Sequence, residues 1–274
     1  MSGPVRARQA GWILALAMLP ALLAGCGARA KTLKEIQTRG ALYIGLDPSY
    51  PPFEALAPDG VLYGLDVDLG RALAARLPVG EADARASLEA HFVFVGYDGL
   101  YHALEVGEVD ALISALVVEP GRMDEVAYSS PYYDAGLVLV VPGGGGEAGS
   151  MEDLAGRTVA VEFATEADVE ARRWSRRLRD LAVEPLTTAD EAMGAVLAGT
   201  ADAALVDSVS ARLYLRDHRG LALAEEMVSS EPYAVAVRAE ARTLLDAINA
   251  ALAEMASDGA LAEMRVRWLG AAAR

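Results

Sequence analysis

Cysteine is nearly absent from this chain: its 274 residues hold one, Cys26. A lone thiol excludes an internal disulfide and any cysteine-ligated metal cluster. Histidine is also scarce. His91, His102 and His218 stand far apart, without the spacing that puts two imidazoles on one metal ion. No Walker-type phosphate loop, Ser-His-Asp set or Cys-His set is legible, so no cofactor, metal or catalytic residue is expected. Basic residues are in deficit, 24 Lys and Arg against 39 Asp and Glu, for a formal net charge of -15. Arg6 and Arg8 are the only charges in residues 1–25, so the remainder carries 22 basic against 39 acidic groups, or -17. Such a body repels nucleic acid and anionic lipid headgroups. With 53% hydrophobic and 23% charged residues, the chain has the composition of a core-forming protein. Its length suits one large domain or two small ones.

Long apolar runs are rare too, and the one that stands out is N-terminal. Arg6 and Arg8 precede an apolar stretch from Trp12 to Leu23, which is short for a membrane span and has the form of an export signal. It ends in Leu23-Ala24-Gly25-Cys26, similar to a bacterial lipobox, in which small residues fit a narrow peptidase site and the thiol receives a lipid. The expectation is a signal peptide over 1–25, a lipid-anchored Cys26, a tether over 26–31 and an extracytoplasmic location. The alternative is a chance cysteine beside an ordinary signal peptide.

Beyond the tether, apolar runs and helical periodicities alternate. Strands are predicted at 41–46, 91–95, 111–118, 136–141, 158–161, 203–206 and 233–237. Helices are predicted at 32–36, 66–77, 99–106, 151–155, 166–181, 190–198 and 241–269, the last broken at Asp258-Gly259. Asp47-Pro48-Ser49-Tyr50-Pro51-Pro52-Phe53 is expected to be a loop, since three prolines oppose both ladder and helix. Strand-helix alternation, twice over, predicts an α/β protein of two units with largely parallel sheets. The arginines of 172–179 lie among Glu166, Asp168, Glu170 and Asp180, which favours a solvated, ion-paired face over a docking patch.

Motifs along the mature chain occur in a telling order. They are Tyr43 to Glu54, Tyr63 to Leu69, Val109-Asp110-Ala111, Glu119-Pro120-Gly121-Arg122, Tyr128 to Tyr133, Leu154 to Val161, Ala201 to Asp207, and Asp258-Gly259 with Trp268-Leu269-Gly270. Together they resemble the family 3 solute-binding proteins, which serve polar amino-acid ABC importers. The resemblance spans about 33–270. It implies a type II periplasmic-binding-protein fold, with one lobe of residues 32–132 plus 234–274 and another of 137–230. Residues 133–136 and 231–233 would form the hinge. It further implies a non-enzymatic, monomeric receptor that passes an amino acid to an ABC permease in the membrane. An enzyme on the same scaffold, similar to cyclohexadienyl dehydratase, and a ligand-sensing partner of a receptor are the alternatives.

A zwitterion needs donors for its carboxylate and an anion for its ammonium. By resemblance, Arg122 supplies a bidentate guanidinium, Thr165 adds hydroxyl and backbone donors at a helix start, and Asp207 takes the ammonium. Asp47, Tyr50 and Tyr97 match positions lining the side-chain pocket. Read without the resemblance, Arg122 is a surface residue after a Pro-Gly turn, Thr165 and Asp207 are helix caps, and the tyrosines are core aromatics. Some positions depart from the pattern. Ala115 and Val117 stand where small or hydroxyl residues are usual, and Val117 has no hydroxyl to donate. Phe163-Ala164-Thr165-Glu166 replaces a Gly-Thr segment. Glu162 and Glu166 either face solvent, as such charges usually do, or add negative charge to the pocket. In the second case, with Asp47, they favour a cationic ligand such as arginine, lysine or ornithine.

Overall fold

The computed structural model describes residues 33–78, 87–144 and 149–270. The expected signal peptide, Cys26 and the tether lie outside the described residues. The first lobe begins with α1 (Leu33–Arg39), β1 (Ala41–Leu46), β2 (Ser49–Tyr50), β3 (Glu54–Leu56), β4 (Leu62–Tyr63) and α2 (Leu65–Arg76). It continues through β5 (Glu89–Phe94), α3 (Leu100–Glu105), β6 (Ala111–Leu112) and β7 (Val126–Tyr128). After β8 (Tyr133–Asp134), the second lobe holds β9 (Leu137–Pro142), β10 (Thr158–Glu162), α4 (Glu166–Ser175), β11 (Ala182–Leu186), α5 (Ala189–Ala198), β12 (Ala203–Asp207), α6 (Ser208–Asp217) and β13 (Leu221–Met227). The chain returns through β14 (Pro232–Tyr233) to β15 (Ala236–Arg238), α7 (Arg242–Ser257) and α8 (Ala260–Leu269).

Each lobe is built on a five-stranded sheet, ordered β5-β1-β6-β15-β7 in the first and β11-β10-β12-β9-β13 in the second. β1 pairs in parallel with β5 and β6, and β10 with β11 and β12. The strand that enters from the other lobe, β15 or β9, runs antiparallel to its neighbours. The second sheet is covered on both faces, as its continuous apolar strands require. Leu139, Val159, Val161 and Leu205 pack on Ala167 and Ala171 of α4, while Val138, Val140, Ala160 and Ala204 pack on Ala192, Met193 and Val196 of α5. In the first lobe, Leu42 and Ile44 of β1 meet Leu65, Leu69 and Leu73 of α2 and Leu244 and Ile248 of α7. Each such fully buried side chain contributes about 1.5–3 kcal/mol.

The lobes are joined by two antiparallel strands, Tyr133 opposite Tyr233 and Asp134 opposite Pro232. The Asp134 carboxylate ties this ribbon together, accepting from Gly136 N (3.0 Å), Glu231 N (2.7 Å) and Ser230 Oγ (2.6 Å). A Cβ on Gly136 would stand 2.1 Å from Ser229 O, so the crossing chains pass at a separation only glycine permits. The Phe53 ring meets Tyr133 and Tyr233 edge-on, at 5.4 and 5.3 Å.

Four expectations need correction. Residues 47–53 are not wholly loop: β2 pairs with β3, and the cis Pro51-Pro52 bond lies in the turn between them. The strand expected over 111–118 ends at Leu112, because Ala115 turns the backbone to a φ of 43°. The helix expected over 166–181 ends at Ser175, and Asp180 takes a φ of 56° ahead of β11. β11 and β13 were not predicted as elements, and α6 only as the helix that Asp207 caps in the reading without the resemblance. Arg172 bonds Asp168 at 2.7 Å and Arg173 bonds Glu170 at 3.0 Å, which makes the arginine stretch an ion-paired face.

Candidate functional site

In both lobes the carboxyl ends of parallel strands point toward the space between the lobes, where open α/β sheets place ligands. The first wall follows β1, β5 and β6. Asp47, Ser49, Tyr50, Glu54, Tyr97, Ser114, Ala115, Val117, Glu231 and Tyr233 enclose a cavity of about 340 Å³, within the range of small-molecule pockets. The second wall follows β10 and β12. A smaller cavity of about 100 Å³ there is lined by Glu162, Thr165, Glu166, Ala167, Asp207, Ser229 and Glu231, among others. Glu231 lines both.

On the second wall the caps and the proposed ligand groups are the same residues. Thr165 caps α4: its hydroxyl donates to Glu162 O at 2.7 Å and accepts from Asp168 N at 3.4 Å. Asp207 caps α6, with Oδ1 accepting from Ser210 N at 2.8 Å. Capping orients both side chains and leaves Oδ2 of Asp207 for another partner. The first N–H groups of α4, at Glu166 and Ala167, have no helical acceptor and suit an anion. Ala164 takes a φ of 62°, a left-handed conformation that favours glycine.

On the first wall, Tyr50 and Tyr97 present half-exposed rings, and Tyr50 stacks on Phe53 at 5.6 Å. Asp47 Oδ2 accepts from Tyr97 N at 2.8 Å, which fixes the end of β1 against the turn after β5. Val117 bridges to Tyr233 and closes the wall near the hinge. Behind the wall lies a pair of buried carboxyl groups. Glu54 Oε1 accepts from Ser114 Oγ at 2.7 Å, while Asp66 Oδ2 accepts from Ala115 N at 2.6 Å and from Tyr132 Oη at 2.9 Å. Glu54 Oε2 and Asp66 Oδ1 are buried with no donor. Burial, then the Asp66 charge, pushes the Glu54 carboxyl well up. Burial also raises Asp66, against the hydrogen bonds it accepts. A single proton held between the two carboxyls would answer both orphaned oxygens.

The structure thus gathers Asp47, Tyr50, Tyr97, Ala115 and Val117 on one wall and Glu162, Thr165 and Asp207 on the other. It does not bring Arg122 to either. The Arg122 guanidinium bonds Glu119 at 2.9 Å, lies 3.5 Å from Glu125 and covers the Tyr101 ring at 4.3 Å. It lines a separate depression with Tyr101, Glu125 and Arg238. The acids three residues before and after it, Glu119 and Glu125, compete for it. Sequence reasoning missed Ser114, Glu54 and Glu231 as lining residues. Glu54 lay within a quoted motif and Glu231 at a hinge boundary, but neither belongs to a periodic pattern that would mark the direction of its side chain.

Comparison with known proteins bears on the family and the fold. The sequence profile of the bacterial extracellular solute-binding proteins, family 3, matches residues 42–271. The L-cystine-binding protein TcyJ of Escherichia coli is 29% identical over 267 residues, covering 94% of each chain. The L-arginine-binding protein of Pseudomonas aeruginosa is 32% identical over 193 residues, covering 69% of this chain and 70% of its own. Among solved structures, an ancestral cationic amino acid solute binding protein superposes with a TM-score of 0.62 at 30% identity, covering 86% of this chain and 99% of its own. The fold is of the periplasmic-binding-protein type II, and the chain belongs to the bacterial extracellular solute-binding proteins of family 3.

Proposed function

We propose that this chain is the receptor of an ABC importer, binding a free cationic amino acid between its lobes and releasing it unchanged to the permease. One observation carries the reading. The unpaired N–H groups at the start of α4 and the free oxygen of Asp207 line the same cavity, one suited to a carboxylate and the other to an ammonium. The aromatic wall of Tyr50 and Tyr97 then receives the ligand's side chain. Arg122 joins on closure by exchanging Glu119 for the ligand carboxylate. Its present ion pairs are exposed and screened by solvent, so the exchange costs little. The lobes are residues 32–132 with 234–274, and residues 137–230, hinged at 133–136 and 231–233. The relatives named for L-arginine and for cationic amino acids support the ligand class. The leader supports lipid attachment at Cys26 and an extracytoplasmic place.

A thermal-shift screen of the common amino acids tests the reading, with mass spectrometry of the ligand recovered afterwards. A ligand at a hundred times its Kd adds about 2.7 kcal/mol, a rise of roughly 5–10 °C for a chain of this size. Arginine, lysine or ornithine is expected to give that rise and to be recovered intact. A flat screen overturns the proposal, and recovery of a dehydrated product replaces it with an enzyme.

A further inference from the structure

The lining of the two cavities has an unusual charge balance. It includes Asp47, Glu54, Glu162, Glu166, Asp207 and Glu231, and among the described residues it includes no Lys, Arg or His. The ammonium of a free amino acid answers one of these acids, and the others differ in how far they are already engaged. Asp47 accepts from Tyr97 N, Asp207 accepts from Ser210 N, and Glu54 is bonded to Ser114 with its carboxyl raised by burial and by Asp66. Glu162 and Glu166 belong to the second wall alone.

Glu231 differs from all of these. It stands on the hinge ribbon and lines both cavities. Its main chain is held on both sides, by Glu231 N donating to Asp134 at 2.7 Å and Ala135 N donating to Glu231 O at 2.9 Å. Its carboxylate, partly buried, has neither a cation within 4 Å nor a hydrogen-bond donor among the described residues. Tyr50, Tyr97 and Tyr233 line the same cavity. A partly desolvated anion with no partner, beside aromatic rings and at a fixed point of the backbone, fits a planar or compact cation.

We infer that Glu231 is the specificity-determining residue of this cavity, its carboxylate receiving the cationic end of the ligand's side chain beside the rings of Tyr50 and Tyr97. The inference rests on the amino-acid-binding reading above and adds to it the residue that reads side-chain charge. Burial first, then the charges of Glu166, Asp207 and Asp134, raise the Glu231 carboxyl, as an unanswered anion at this point requires. On binding, the ligand supplies the charge that the protein's own side chains omit.

The test is calorimetric titration of the parent and of Glu231→Gln with L-arginine and with L-citrulline, its uncharged near-isostere. The parent is expected to prefer arginine by about tenfold to a hundredfold, the range of a hydrogen bond to a charged group. Glu231→Gln is expected to lose that preference while holding citrulline within about threefold of the parent. Glu231→Asp, which keeps the charge and the same main-chain bonds, is expected to retain a preference for arginine, and it serves as the test if the glutamine variant fails to fold. An unchanged arginine-to-citrulline ratio in Glu231→Gln overturns the inference, as does an equal loss of both ligands, which marks a hinge role alone. A parent that binds neutral amino acids but not arginine also overturns it and leaves the amino-acid reading standing. A parent that binds no amino acid overturns both.

Discussion

Glu54→Gln gives the sharpest check on the chemistry behind the first wall. With Glu54 buried against Asp66 and its carboxyl raised, the folded chain keeps a proton that the unfolded chain releases above the ordinary carboxyl value of 4.5. A raised folded pKa contributes stability that is fully present below 4.5 and is lost as pH rises toward the folded value. Each retained proton therefore lowers stability by about 1.4 kcal/mol per pH unit in that window. Glutamine keeps the acceptor for Ser114, presents an N–H to Asp66 where the shared proton stood, and has no proton to lose. Titrating groups other than Asp66 are common to both proteins and cancel in the difference, and the glutamine N–H answers Asp66 in place of the proton. Between pH 5.5 and 7.5 the stability of Glu54→Gln relative to the parent is expected to grow by about 2.7 kcal/mol. Urea unfolding of both proteins at half-unit steps of pH measures this, with equal m-values as the check that both unfold alike. A pH-independent difference refutes the shared proton and means that Glu54 is ionised in the folded chain.

Four further outcomes are expected. Arg122→Ala weakens amino-acid binding by about 2–5 kcal/mol in calorimetry; unchanged affinity assigns the ligand carboxylate to the start of α4 alone. Asp207→Asn keeps the cap on Ser210, so urea stability stays within about 0.5 kcal/mol; affinity falls for amino acids, while analogues lacking the α-amino group bind as before. Ala164→Gly relieves the left-handed strain at a φ of 62° and raises stability by about 0.5–1 kcal/mol, against which a lower urea midpoint counts. Cys26→Ser shifts the expressed protein from the membrane fraction to the soluble fraction, and an unchanged distribution removes the lipid anchor.

The alternation of buried strands and amphipathic helices made both lobes legible, since β1, β9, β10 and β12 are apolar on both faces and announce themselves. What escaped was local. β11 carries Pro185, which an edge strand tolerates and a central one does not. β13 runs into exposed Glu225 and Glu226 at the other edge, so it shows no apolar run. The helix from Glu166 looked longer because arginines continue its charge pattern past Ser175, and Leu178 and Leu181 beyond it still pack on the core. In the site, Asp207 and Thr165 were legible because a cap has a fixed place relative to its helix. The direction of the Arg122 side chain was not, because it depends on which neighbouring acid holds it, and spacing does not decide that.

The narrow crossing at Gly136 bears on how the two halves travel. Where one strand nearly touches the other, neither can move closer without steric collision, and a shared aspartate holds them against splaying. The paired connections must bend as a single strap, which leaves the molecule one swivel in place of two loose joints. If the lobes close as proposed, a swing about that strap would keep Glu231 nearly stationary while the distant rims move inward, and a captured solute would meet the proposed anchor before the doors close.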